Sequence, residues 1–143
     1  MNSDTVELLK ECSSGIKMGV SAINDVLSHV EARELSEILI NSKEEHEKLE
    51  NETFLMLNEY NDSGKEPNAI AKTMSKLKTG LKMTIDDSDK SICQIIDEGC
   101  AMGIQYIRKY LDKYESANSD AKSIADKVIK LEENLSDEIK EFM

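Results

Sequence analysis

Glu45, His46 and Glu52 fall within one short acidic stretch, residues 41–52, NSKEEHEKLENE. Imidazole and carboxylate groups bind iron, manganese or zinc, and zinc also accepts thiolate sulfur. On a helix, Glu45 and Glu52 stand one heptad apart and flank the face that carries His46. Cys100, from a distant segment, would complete a mixed nitrogen, oxygen and sulfur set. The competing reading is plainer: a lone histidine in a helix seam serves as a hydrogen-bonded core residue.

The three cysteines, Cys12, Cys93 and Cys100, have no paired spacing, which fits free thiols in a reducing compartment. Cys93 and Cys100 share one helix face with no basic residue a turn away, so they are expected to pack as small hydrophobes. Cys12, beside Lys10, is expected to be the most reachable. Residues 87–98 echo a calcium loop through Asp87, Asp89, Ser91 and Glu98, but Ile92 occupies the position that needs glycine. No nucleophile with a base and an orienting group can be assembled, and there is no phosphate loop or cofactor fingerprint. No catalytic residue is assigned.

The elements that must position these groups are helical. The chain has 143 residues, one proline, six glycines, no tryptophan and 33% charged residues, which favours long helices over a sheet. A single domain covering residues 1–143 is expected, burying about two-thirds of its unfolded surface. A net charge of −11 disfavours nucleic acid and anionic membrane surfaces as partners. No apolar run reaches transmembrane length and no basic-then-apolar leader opens the chain, so a soluble cytoplasmic protein is expected.

Apolar residues recur at steps of three and four along Val6, Leu9, Ser13, Ile16, Val20, Ile23, Leu27 and Val30, predicting one long helix. A strip of small residues runs beside it, Cys12, Gly15, Gly19, Ala22 and Val26. Its two glycines each cost about 1 kcal/mol of helix propensity, which close approach of another helix would offset. Ser28 and Glu31 have capping-box spacing for a second helix over about 31–61. Its seam, Leu35, Leu39, Ser42, His46, Leu49, Thr53, Met56 and Tyr60, turns His46 inward.

Gly64 and Pro67 punctuate the chain before a third helix over about 67–85, which carries Lys72, Lys76, Lys78 and Lys82 and no acid. Those lysines can serve as a binding surface or neutralise acids of the same molecule. The cluster Asp86, Asp87, Ser88 and Asp89 starts a fourth helix over about 88–115. Its seam is Ile92, Ile96, Gly99, Gly103, Tyr106 and Tyr110, with Cys93, Cys100, Ile107 and Tyr114 alongside. Ser119 is expected to cap a last helix over about 120–142, with Ile124, Val128, Leu131, Leu135 and Phe142 in its seam. The pattern predicts an all-α antiparallel four-helix bundle, with residues 67–85 covering its crossover.

Ser14-Gly15, Gly19 and Ala22, then Lys43 to Leu49 (KEEHEKL), then Asp97-Glu98-Gly99-Cys100 with Tyr106, together with this element order, resemble the ferritin-like superfamily. The likeness is to a group of uncharacterised bacterial four-helix-bundle proteins within it. It implies a ferritin-like fold along nearly the whole chain. In metal-binding members each helical pair supplies an inward Glu and a Glu-x-x-His. Here Lys43 stands where His46 would need its Glu, and Asn24 and Cys100 stand where the resemblance implies acids. His29, the other histidine, closes the first helix.

Three functional readings follow. The first is a non-catalytic structural or interaction bundle, self-associating as a homodimer or with a protein partner through Phe54, Leu55 and Leu57. The second is a metal or redox module using His46, Glu45, Glu52 and Cys100 with iron, manganese or zinc. The third is a carrier of a small apolar molecule, held where Gly15, Gly19, Gly99 and Gly103 leave room, against Met18, Met102 and Tyr106.

Overall fold

A computed structural model describes residues 3–60 and 88–143. The predicted helix over 67–85 and its lysine face lie outside the described residues. Four α-helices account for most of the rest: α1 (Ser3–Leu27), α2 (Arg33–Asn58), α3 (Asp89–Lys113) and α4 (Ser119–Ile139), followed by a short 3-10 turn over Lys140–Phe142. Among the described residues there is no strand, and the architecture is an all-α four-helix bundle.

α1 and α4 are the central elements. Each packs against the other three helices, whereas α2 and α3 each rest on α1 and α4. That arrangement follows from α1's sequence, because Thr5, Leu8, Leu9, Cys12, Ser14 and Ile16 bury more of its circumference than a single stripe would.

Two apolar clusters make up the core. One joins Leu8, Leu9, Ile16, Leu57, Ile107 and Ile124, and the other joins Ile23, Leu35, Leu39, Ile92, Leu135 and Ile139. Burying each such side chain contributes about 1.5–3 kcal/mol, so these two groups carry most of the fold's stability.

Helix starts differ from expectation in instructive ways. Ser28 and Glu31 do not form a capping box; α2 begins two residues later, after Ala32, which offers no side-chain cap. The two amides just ahead of its first turn are held from across the molecule instead. Asp89 Oδ1 accepts from the Glu31 amide at 2.8 Å, and Asp89 Oδ2 accepts from the Ala32 amide at 2.8 Å. Ser88 caps α3 as expected, accepting from the Ser91 amide. Asn118 rather than Ser119 caps α4, accepting from the Ala121 amide at 2.9 Å. The Asn118 amide in turn donates to Thr5 Oγ1 at 2.8 Å, which ties the α3–α4 connection to the start of α1.

The surface brings two further corrections. Leu57 is buried, so the expected exposed stripe reduces to Phe54 and Leu55, 47% and 57% exposed. Cys12, expected to be the reachable thiol, is fully buried against the first cluster. Among the described residues no helix is long and apolar enough to cross a membrane.

Candidate functional site

His46 and Glu132 occupy the boundary between the two apolar clusters. The periodicity of α2 turns His46 inward one turn after Ser42, and its side chain is completely buried. Glu132 occupies the corresponding place on α4, on the buried stripe Ala121, Ala125, Val128, Glu132, Leu135 and Ile139. The two meet at 2.7 Å, His46 Nε2 to Glu132 Oε1.

Proton positions follow from the partners. His46 Nδ1 lies 2.7 Å from the Ser42 carbonyl oxygen, which can only accept, so Nδ1 carries a hydrogen. Where His46 is protonated, Nε2 carries one as well and donates to the Glu132 carboxylate, so the pair is an imidazolium with its counter-ion. Burial alone would pull the His46 pKa down. The hydrogen bond and charge of Glu132, the Ser42 carbonyl and the charge of Glu50 outweigh it and hold the pKa above the ordinary histidine value.

Glycine makes this contact feasible. A Cβ on Gly19 of α1 would lie 2.5 Å from His46 Nε2 and 2.6 Å from its Cδ2, closer than atoms can approach. The small strip of α1 therefore admits the imidazole ring at Gly19, whereas a Cβ on Gly15 would meet Ile107 of α3 at an ordinary 3.4 Å. The propensity cost of Gly19 is offset by a buried ion pair that no other residue type would allow there.

Glu132 also receives the Cys100 thiol. Burial, the charge of Glu132 and this hydrogen bond drive the Cys100 pKa far above the ordinary thiol range. Cys12, buried beside the charge of Glu11, is pushed up to about 12, and Cys93, buried near Asp89 and Asp97, to about 11. All three thiols stay protonated and unreactive as nucleophiles.

A cavity of about 210 Å³ opens beside the ion pair. Gly15, Met18 and Gly19 form its α1 wall, and Gly99, Met102, Gly103 and Tyr106 its α3 wall. Ile95, Ile96 and Leu135 contribute apolar surface, and His46, Cys100 and Glu132 form its polar part. The Tyr106 hydroxyl is turned to Glu11 of α1, a carboxylate only 3% exposed, to which it donates a hydrogen bond.

The predicted site residues thus separate into two groups. His46 and Cys100 come together, but through Glu132, which sequence reasoning missed. Glu45 is exposed and accepts from Lys48 at 3.3 Å, while Glu52 accepts from Lys127 of α4 at 3.0 Å. Neither joins His46, and among the described residues no three His, Cys, Asp or Glu side chains are grouped to hold a metal ion. Met18, Met102 and Tyr106 all line the cavity. No protein-family model, curated protein or solved structure matches the chain.

Proposed function

We propose that this chain is a ferritin-like, antiparallel helical bundle that binds a small, largely apolar molecule in its mid-bundle cavity. The antiparallel reading is supported by the short connections over 28–32 and 114–118 between helices that pack together. The binding reading is carried by one observation, the cavity of about 210 Å³ lined largely by glycine, methionine and isoleucine residues. Apolar cavities of about 150 Å³ already hold benzene, so this one takes a substituted single ring or a short aliphatic chain.

Metal chemistry finds less support. Both His46 nitrogens are engaged, by Ser42 and Glu132, and the expected carboxylates pair with lysines.

Toluene added to the full chain should raise its melting temperature, because a ligand that binds only the folded state stabilises it by mass action. Gly103→Leu, which directs a side chain into the cavity, should abolish that response. A melting curve indifferent to toluene in the unaltered chain sinks the binding reading.

A second reading, self-association, rests on Phe54 and Leu55, adjacent and exposed on α2. Sedimentation equilibrium of the chain and of its Phe54→Ser, Leu55→Ser variant tests it. A monomer in both cases ends that reading.

A further inference from the structure

Hydrogen-bonding capacity around the cavity is one-sided. His46 donates both of its N–H groups, to the Ser42 carbonyl and to Glu132. The Cys100 thiol is spent on Glu132, and the Tyr106 hydroxyl is spent on Glu11. Backbone amides of the lining glycines belong to helix interiors and are used in the helices' own hydrogen bonds. Among the described residues, every side-chain donor at the polar end is therefore committed.

Acceptors are not exhausted. A carboxylate offers about four acceptor sites, and Glu132 uses them for the imidazolium and one thiol. Its side chain is 10% exposed and forms part of the cavity lining, with Oε2 on the side of Gly103. Charge is balanced as well, because the His46 imidazolium already neutralises the Glu132 carboxylate. An ammonium would gain little there for the loss of its hydration, and an anion would find a carboxylate with no free donor beside it.

Resting on the binding reading above, we propose that the ligand is an uncharged, ring-sized apolar molecule bearing a hydroxyl or N–H group, which it donates to Glu132. Phenols and indoles belong to this class. Fatty acids and other apolar carboxylates do not.

Calorimetric titration of the full chain at neutral pH with toluene, p-cresol and benzoate separates the alternatives, since the three probes share a ring and differ in polar group. Watching the 13C-methyl resonances of Met18 and Met102 during each titration reports whether binding occurs in the cavity. An apolar pocket without an acceptor would favour toluene over p-cresol, because the hydroxyl would lose its water partner unrequited. The expected result is p-cresol binding at least as tightly as toluene, with both methionine signals shifting, and benzoate binding at least about thirtyfold more weakly than p-cresol.

Toluene binding more tightly than p-cresol overturns the donor assignment and leaves the cavity reading standing. So does benzoate binding more tightly than p-cresol. Failure of both toluene and p-cresol to bind, or binding that leaves both methionine signals unmoved, overturns the cavity reading itself. These comparisons need no variant at Glu132, whose loss would strand a buried imidazolium. Where Glu132→Gln folds, it should narrow the gap between p-cresol and benzoate, because its amide adds a donor and the imidazolium loses its counter-charge, while His46→Leu with Glu132→Leu, which removes both acceptors, should place toluene above p-cresol.

Discussion

Among the described residues two carboxylates are buried, and they are accommodated differently. Glu132 of α4 meets an imidazolium and a thiol at the boundary between the two apolar clusters, beside a glycine that makes room for the ring. Glu11 of α1 lies within the buried stretch of its own helix and receives the hydroxyl of Tyr106 from α3. The first pair neutralises charge with charge and binds α2 to α4. The second brings a neutral hydroxyl to the acid and binds α1 to α3. One acid thus has an imidazole among its partners and the other a phenol, and the two contacts should fail differently.

The largest effect is expected from His46→Ala. It strands Glu132 without its counter-ion and should cost about 3–5 kcal/mol of unfolding free energy, read by urea denaturation. Replacing both partners, His46→Leu with Glu132→Leu, should recover most of that loss. If the double variant is no more stable than the single one, charge pairing is not what the site contributes.

Gly19→Ala attacks the same pair from α1. With a methyl group 2.5 Å from His46 Nε2, the ring must leave Glu132, at a cost of about 3 kcal/mol. A variant as stable as the parent would show that α1 yields easily there. Tyr106→Phe tests the other acid and should cost about 2 kcal/mol, the value of a hydrogen bond to a charged group. A loss equal to that of His46→Ala would erase the distinction between the two solutions.

Titration sharpens the contrast further. The folded pKa of His46 lies above its unfolded value of about 6.5, so its contribution is fully present below that pH and is lost as pH rises through the folded pKa. Stability should fall there by up to about 1.4 kcal/mol per pH unit, and the slope should vanish in His46→Leu with Glu132→Leu. Unfolding free energies measured from pH 6 to pH 9 check the sign. A rise across that interval would mean that the imidazole is neutral in the fold.

The smallest effect is expected at Gly103. A Cβ there meets Glu132 Cγ at an ordinary 3.8 Å, so Gly103→Ala should gain rather than lose, by about 0.5–1 kcal/mol of helix propensity. A loss comparable with that of Gly19→Ala would mean that the two glycines serve the same packing need.

Much of the bundle was legible in the chain, because three- and four-residue spacing of apolar side chains reports directly on which face of a helix is covered. His46 could be turned inward on that basis, between Leu39 and Leu49. Glu132 could not be read as easily. Its neighbours Lys130 and Glu133 make the segment look like solvated surface, and the stripe through Ile124, Val128, Leu131 and Leu135 passes it by. The parallel stripe through Ala121, Ala125 and Val128 reaches it, and a charge at a covered position was the available signal. Glu45 and Glu52, acids beside the seam, have lysines within reach and pair with Lys48 and Lys127 rather than with His46. The cap of α2 was beyond local reading altogether, since the residue that supplies it is 57 positions away from Ala32.

That cap carries a consequence for how the molecule assembles. Cut out as a peptide, residues 28–58 would retain their apolar periodicity but lose both oxygens that hold the Glu31 and Ala32 amides, and the first turn should fray. The chain just ahead of α2 is held by Asp89 of α3, so order at one chain position is reinforced by the docking of another. Unfolding of the second apolar cluster and fraying of α2 are one event, and amide hydrogen exchange at residues 31–36 should follow the opening of α3 rather than the local helix–coil equilibrium.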